Sequence, residues 1–518
     1  MFQSILFLVI KFYHKNILGV MEMEKFFNLK KYGTNVRTEI IAGLTTFFTM
    51  AYIIFVNPNI LQLAGTPDNP FNPQAIFVAT IISAVVGTLV MGLFANVPYA
   101  LAPGMGLNAF FTFTVCGTMG FRWQEALAMV FICGVVNIII TVTGLRKIII
   151  RALPPVLQKA IGGGIGLFIA YIGIKDSGLL KFTSDPGTYL FLGKTPADAT
   201  VVANSSAVPA IVNFSNPAVQ LALFGIVLIL ILMVLKVRAA ILIGITSVTA
   251  LCFIEIACGV NPGVFGFHAK NAHEFFSSAN ISLSGIGNSI AAVKYTAFKM
   301  DFAGLFANGS KFLLAVTAMI AFILTDIFDA LGTFIGTGRR SGIFDAEDEK
   351  LMLEGKGVKS RLDKALFADL SATIVGAFFG TSNTTTYVES SAGIAAGGRT
   401  GLTSVVTSIM FLICLVFAPV IGIIPTVATA PALVVVGILM MSSIGEIDWK
   451  DFSVAAVAFL TIALMPFAYS ITTGISFGFI SYVIIAIIKK ETKKIHPVIY
   501  LFTVLFILNF ILLAVRNL

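Results

Sequence analysis

The chain has 518 residues, of which 57% are hydrophobic and 11% charged, with a mean hydropathy of +0.96. A soluble domain carries about 25% charged residues, so the composition excludes an ordinary soluble protein and fits a polytopic membrane protein whose apolar surface faces lipid. The formal net charge of +9 is no nucleic-acid signal, because the basic residues gather in short loops between apolar runs.

The N-terminal stretch "FQSILFLVI" is apolar but too short to cross a bilayer, and Lys11, His14 and Lys15 follow it without a small-residue cleavage site. Residues 1–20 therefore read as an upstream extension of a chain whose natural start is Met21 or Met23. Apolar runs of helix length then predict spans at 40–61, 74–94, 97–116, 123–143, 154–178, 216–235, 239–258, 310–337, 364–379, 380–398, 401–420, 426–443, 452–469 and 472–488. A further apolar stretch, 497–515, follows "KKETKK" and either crosses or lies along the interface. With the N-terminus inside, the cytoplasmic loops hold Arg146, Lys147, Arg151, Lys236, Arg238, Arg339, Arg340, Arg399, Lys489, Lys490, Lys493 and Lys494. The short outer connections near 62–73, 419–425 and 470–471 hold no Lys or Arg. That bias fits fourteen spans with both ends inside. Seven spans precede the long loop at 259–309 and seven follow it, so the second half enters from the opposite side, as in the inverted repeats of secondary transporters. The predicted fold is thus an all-α polytopic membrane protein of two inverted seven-span repeats.

The third span of each half is irregular. "VPYALAPGMGLNAFFTF" (97–113) carries Pro98, Pro103, Gly104 and Gly106, which do not sit cheaply in an uninterrupted helix. "GTSNTTTYVESSAGIAAGG" (380–398) is too polar to face lipid, and its "TTTYV" favours an extended strand. Each reads as a short extended piece followed by a half-helix, beginning near Asn108 and near Glu389. Such backbone is tolerated at membrane depth only where it is buried in protein or lines a cavity. Matching breaks in two halves point to a transporter binding site. Unpaired N–H groups at the half-helix starts are expected to face the ligand. The plain alternative is a pair of bends that only serve packing.

A charge at mid-bilayer costs at least about 2.5–3.5 kcal/mol, so the acids left inside the apolar runs stand out. Asp326 and Asp329, three residues apart, share one helix face in "LTDIFDALGTFIG" (324–336). Glu389 lies at the second break. No Lys or Arg lies at that depth to pair with them, and buried carboxylates without cations are easily protonated near neutral pH, as a proton-coupled carrier requires. The bland alternative is protonated acids hydrogen-bonded to the Thr-rich strand. Asp369 reads as structural, Glu255 as interfacial, and Lys159 as snorkelling to the interface. The five cysteines read as apolar fillers. No ATP-binding loop, metal cluster or catalytic triad is evident, and "GMGLN" lacks the setting of a dinucleotide site. No enzyme activity, metal or cofactor is expected.

The remaining groups at the breaks are the Asn108 amide, hydroxyls and aromatics: Phe47, Phe48, Phe110, Phe111 and Tyr387. The Phe residues read mostly as packing. Residues two apart in an extended segment share a face, so Tyr387 and Glu389 can address one ligand. The set suits a flat, neutral heterocycle that stacks on an aromatic face and pairs along its edge.

Four stretches carry a family resemblance: "RTEIIAGLTTFFTMAYIIFVNPNIL" (37–61), "ALAPGMGLNAFF" (100–111), "TDIFDALGTFIG" (325–336) and "GTSNTTTYVESSAGIAAGGRTGLTSVVT" (380–407). From about Met23 onward the chain resembles the nucleobase:cation symporter-2 superfamily, in its AzgA-like branch of hypoxanthine, guanine and adenine permeases. The resemblance implies a cytoplasmic segment (1–36), a core domain of spans one to four (37–143) and eight to eleven (310–424), and a gate domain of spans five to seven (154–258) and twelve to fourteen (426–488). A C-terminal tail (489–518) follows. It implies purine contacts at Asn108, Asp326 and Glu389, with Gly106 beside the first and Asp329 as the second acid of its motif, and uptake driven by protons across the plasma membrane. Tyr387 comes from the strand reading above. Gate domains in such a scaffold offer a surface for a homodimer. Hypoxanthine or guanine is the favoured cargo; adenine, xanthine or uracil remain alternatives. An anion exchanger or channel on the same scaffold would avoid an acid at Glu389, and a membrane receptor would need a signalling domain, which this stretch of sequence does not contain.

Overall fold

The structure is a computed structural model that describes residues 22–143, 152–184, 190–191, 199–200, 207–267, 283–307, 309–338, 341–344, 358 and 360–516. Residues 1–20, the candidate start Met21, the loop cations Arg146, Lys147, Arg151, Arg339 and Arg340, and parts of the two long stretches that read as polar outer loops, 179–215 and 259–309, lie outside the described residues.

The chain is predominantly helical. In order it forms α1 (Val36–Met50), α2 (Ile53–Leu61), α3 (Pro73–Val90), strand β1 (Leu101–Pro103), α4 (Met105–Ala109), α5 (Trp123–Thr143), α6 (Pro155–Asp176), α7 (Pro217–Val234), α8 (Ala240–Ala257), α9 (Gly309–Thr333) and α10 (Arg361–Phe379). Strand β2 (Thr384–Thr386) follows, then α11 (Ser390–Ala395), α12 (Gly401–Ile413), α13 (Thr426–Met440), α14 (Phe452–Phe467), α15 (Ile471–Ile488) and α16 (Pro497–Arg516). Among the described residues nine helical segments are long and apolar enough to cross a membrane. The segments at 97–116 and 380–398 are not among them, because each is broken by a strand. The helix α14 is apolar but has only 16 residues. The stretch 497–515 is a helix, α16, whose Asn509 accepts a hydrogen bond from Thr317 of α9 at 3.3 Å.

Helix boundaries follow local chemistry. Asn72 caps α3 by accepting from the Ala75 N–H at 3.0 Å, with Pro73 at the first helical position. Ser360 and Asp363 form a reciprocal capping box at the start of α10. Gly380 ends that helix at φ +102°, where any Cβ would also lie 2.3 Å from Thr296 Cβ.

The chain divides into two compact units. One is drawn from Met1–Leu167, Ile281–Gly422 and Met440–Leu518. The other is drawn from Phe168–Asn280 and Ile423–Leu439. In the smaller unit, part of what reads as a polar outer loop is an antiparallel pair, Leu180–Ser184 against Ala207–Ile211. There too, Gly225 lets α7 approach Pro431 of α13.

In the larger unit the core gathers Tyr99, Leu101, Phe334, Phe344, Leu366, Ala372 and neighbours. Helices approach closely where side chains are smallest. A Cβ on Gly401 would meet the Gly92 carbonyl oxygen at 1.8 Å, and one on Gly393 would meet Thr46 Oγ1 at 2.0 Å. Overpacking usually costs about 1–3 kcal/mol, and a backbone atom cannot rotate away. Gly401→Ala is therefore expected to lower stability by about 3 kcal/mol, read as a fall in thermal midpoint in detergent. Gly445→Ala, at a site open to at least 4 Å, should leave the midpoint unchanged.

Candidate functional site

The two broken segments meet. Strands β1 and β2 pair antiparallel, with Leu101 opposite Thr386, Ala102 opposite Thr385 and Pro103 opposite Thr384. The ladder extends at both ends: Gly104 donates to the Asn383 carbonyl at 2.9 Å and Tyr387 to the Ala100 carbonyl at 3.0 Å. Two strands this short satisfy few of each other's groups, so neighbouring helices supply hydroxyls. Thr88 of α3 accepts from the Leu101 N–H at 3.0 Å, and Thr373 of α10 donates to the Thr384 carbonyl at 2.9 Å. Ser83 of α3 bonds the Thr384 hydroxyl at 2.7 Å, and the Thr386 hydroxyl donates to Asp369 at 2.7 Å. Asp369, fully buried on α10, thus supports the ribbon, as its structural reading anticipates.

Each expected site residue has a definite place. Gly106 and Asn108 lie in α4, which starts at Met105 and runs on as a π-helical turn, Phe110–Thr118. Asn108 is fully buried; its side-chain Oδ1 accepts from the Ser382 hydroxyl. Tyr387 is buried, and its hydroxyl donates to the Pro103 carbonyl at 2.6 Å, tying the end of β2 to the end of β1. Glu389, partly exposed, stands at the head of α11. Its Oε1 accepts from the Tyr52 hydroxyl at 2.7 Å.

The two aspartates of α9 part company. Asp326 is 1% exposed and accepts from Asn137 of α5 at 3.1 Å. Asp329 approaches the strand crossing: a Cβ on Gly104 would lie 3.8 Å from Asp329 Oδ2. The structure therefore brings Asp329 and the Tyr387 hydroxyl to the Pro103–Gly104 end of β1, with Glu389 two residues beyond Tyr387. It holds Asp326 against a different helix.

One expectation is corrected. The first N–H groups of α11 are not free for a ligand. Ser390, Ser391 and Ala392 donate to the carbonyls of Tyr387, Val388 and Glu389 at 3.1, 2.9 and 3.0 Å. A tight i→i+3 turn closes this helix onto its own leader, and six residues build little dipole. The aromatic residues divide as read: Phe110 packs edge-on against Phe322, Phe111 is stacked on Phe71, Phe47 lies against Phe411, and Phe48 is 43% exposed. Lys159 is engaged with Glu446, whose carbonyl it reaches at 2.8 Å. Of the five free cysteines, Cys133, Cys252 and Cys414 are buried, Cys116 is half-buried and Cys258 is exposed.

Several partners lie outside the sequence reading. Tyr52 sits in the short break between α1 and α2 and looks in sequence like one more apolar-run aromatic. Asn137 is a lone amide in the apolar run "VVNIII", which is a signal by itself at that depth. Glu39 is fully buried and accepts from the backbone N–H groups of Arg399, Thr400 and Thr403 at 2.8, 3.3 and 3.1 Å, capping α12. Elsewhere in this unit an open cavity of about 510 Å³ is lined by Asn69, Asn72, Trp123, Gln124, Lys294 and Lys299. It shares no residue with the crossing, and its Asn69 and Gln124 amides bond each other at 2.9 and 2.8 Å.

Among the described residues no His, Cys, Asp and Glu group fits a metal ion. Extended backbone of this kind is tolerated at membrane depth where it is buried in protein, as this ribbon is, with acids and amides beside it and no cation paired with Asp329 or Glu389 among the described residues. Residues 37–477 match the model of the permease family. The chain is 39% identical to the guanine/hypoxanthine permease PbuG of Bacillus subtilis, over 95% of this chain and all of that one. It is 36% identical to the adenine permease AdeP of Escherichia coli, over 94% and 96%. The solved transmembrane domain of the cyanobacterial bicarbonate transporter BicA shares the fold at a TM-score of 0.54 and 14% identity, over 85% of this chain and 96% of that one. This is a membrane transporter, not an enzyme. The chain belongs to the permease family.

The ribbon's dependence on Asp369 can be measured. Thr386→Val keeps the β-branched shape and removes the hydroxyl. Hydrogen bonds to charged groups are worth about 1.5–3 kcal/mol, so the variant should lose about 2 kcal/mol of stability, seen as a lower thermal midpoint at normal membrane levels.

Proposed function

We propose that the chain imports purine nucleobases, hypoxanthine and guanine foremost, in symport with protons. The observation that carries this reading is the placement of Asp329 and Tyr387 at the strand crossing, with Glu389 two residues beyond, and no cation paired with either acid among the described residues. A carboxylate accepts paired N–H groups from the edge of a neutral base, such as N1–H and the exocyclic amine of guanine. Tyr387, its hydroxyl tied down, presents a ring for stacking. PbuG and AdeP carry purines in their names, and both align over nearly the whole chain, which supports the substrate class. The similarity to AdeP keeps adenine as the second reading. Two acids at the crossing repel an anion, which disfavours bicarbonate-type transport on the same fold.

Roles divide by geometry. Glu389 grips the base and Tyr52 holds the Glu389 carboxylate in place. Asp329 completes the binding face, with Gly106 and Asn108 shaping its α4 side. Asp326, on Asn137, stores the coupling proton and acts on the base through α9 rather than by touching it. The larger design is two inverted seven-span repeats, a core (37–143 and 310–424) and a gate (154–258 and 426–488), with the N-terminus cytoplasmic in the plasma membrane. The pairing of the two broken spans with one another supports it. The exposed apolar face of α7, with Phe224, Ile231 and Val234, offers a surface for a homodimer; a mass measurement in nanodiscs would expose a monomer.

Proteoliposomes test the function. Radiolabelled hypoxanthine should accumulate when the outside is acidified, and a proton ionophore should abolish the gradient. Glu389→Gln should cut uptake at least about tenfold, because one acceptor oxygen becomes a donor. Tyr52→Phe should raise KM by roughly fivefold with Vmax kept, the loss expected for a binding carboxylate freed from one hydrogen bond. Bicarbonate accumulation without hypoxanthine uptake would sink the reading.

A further inference from the structure

The β1–β2 ribbon has two faces, and only one has all its side-chain polar groups provided with partners. Strand side chains alternate. Thr384 and Thr386 point toward α3 and α10, where their hydroxyls meet Ser83 and Asp369. Asn383, Thr385 and Tyr387 belong to the opposite face. Asn383 stands across from Gly104, where the ladder extends by one bond. A Cβ on Gly104 would meet Thr385 Cγ2 at 2.7 Å and Asp329 Oδ2 at 3.8 Å. The Asn383 face is therefore the one that Asp329 approaches.

Asn383 is fully buried, and neither its Oδ1 nor its Nδ2 has a hydrogen-bond partner among the described residues. The Thr385 hydroxyl, 1% exposed, is in the same state. Other orphaned atoms are scattered through the chain, but Asn383 is the one described side chain whose polar atoms are both orphaned. Buried amides are ordinarily satisfied, and leaving one unpaired is destabilising. The opposite face shows that this ribbon can be fully provided for when packing is its only task.

We propose that Asn383 is a substrate-contacting residue that reads position 6 of the purine, with Thr385 beside it. The proposal rests on the purine reading above. A carboxamide offers a donor and an acceptor in one plane, and a half-turn of its last torsion exchanges them. Hypoxanthine and guanine present the acceptor O6, whereas adenine presents an amine. The Asn383 amide donates to the first and accepts from the second. A side chain of fixed polarity would select one.

Two variants test this in proteoliposomes, by inhibition of labelled hypoxanthine uptake with unlabelled hypoxanthine and unlabelled adenine. Asn383→Asp replaces the donor with a second acceptor. Its half-inhibitory concentration for hypoxanthine should rise about tenfold relative to that for adenine. Asn383→Leu removes both polar atoms at similar volume. Without ligand it should melt at or above the wild-type midpoint, and added hypoxanthine should no longer raise that midpoint. A structural asparagine would behave the other way, since its loss would lower the ligand-free midpoint. An unchanged hypoxanthine-to-adenine ratio in Asn383→Asp overturns the proposal. If that variant does not reach the membrane, Asn383→Leu decides: a lowered ligand-free midpoint, or a retained hypoxanthine shift, overturns it equally. A wild-type protein that takes up no purine sinks the function reading instead, and is seen before any variant is made.

Discussion

Much of the larger unit's buried polar structure depends on the antiparallel pairing of two three-residue strands. Extended backbone inside a bilayer exposes N–H and C=O groups, each costing several kcal/mol if left unpaired. Neither segment pays that cost alone, because each supplies the other's ladder. Two of the outward-facing groups, the Leu101 N–H and the Thr384 carbonyl, are met by Thr88 and Thr373 from flanking helices. The arrangement is cooperative: a change in one broken span exposes backbone in the other, far away in sequence.

That pairing fixes where the acids stand. Gly104 follows β1 directly; its missing side chain makes room for Thr385, and Asp329 of α9 lies 3.8 Å from where a Cβ would stand. One helical turn earlier, Asp326 meets Asn137 on α5 instead. Three residues along a helix leave the two side chains about 60° apart and roughly 4.5 Å apart along the axis, so one face of α9 gives one acid to the crossing and the other to a neighbouring helix. At the far end, α11 lies on α1 with only Gly393 between backbones. Arg399 donates to the Ile394 and Gly398 carbonyls at 2.6 and 2.7 Å, closing the end of α11, while Glu39 caps the helix that follows. Glu389 is thereby held between Tyr52 above and a clamped helix end below.

The sequence made the breaks legible because they violate the rules of lipid-facing helices. Proline and glycine at 98–106, and a Ser/Thr-rich run at 381–386, have no cheap place in a span. Asp326, Asp329 and Glu389 were visible for the same reason. What stayed hidden was the partner of each acid. Tyr52 is chemically an ordinary member of an apolar run until it is known to lie across from Glu389. The separation of Asp326 from Asp329 depends on which helices flank α9, and spacing along one helix does not contain that information. The closed turn at the start of α11 was hidden too, because i→i+3 and open helix starts have similar composition.

The two faces of the ribbon follow from different constraints. The face toward α3 and α10 is saturated with hydroxyl and carboxylate partners, and it makes the crossing rigid. The other face carries Asn383, Thr385 and the Tyr387 ring beside Asp329, and its amide and one hydroxyl lack partners. A site that must release its cargo cannot satisfy its own polar groups too well, because an internal partner would compete with the ligand. Stability is therefore concentrated on one side of three residues and left incomplete on the other, which period-two alternation makes possible within a single short strand.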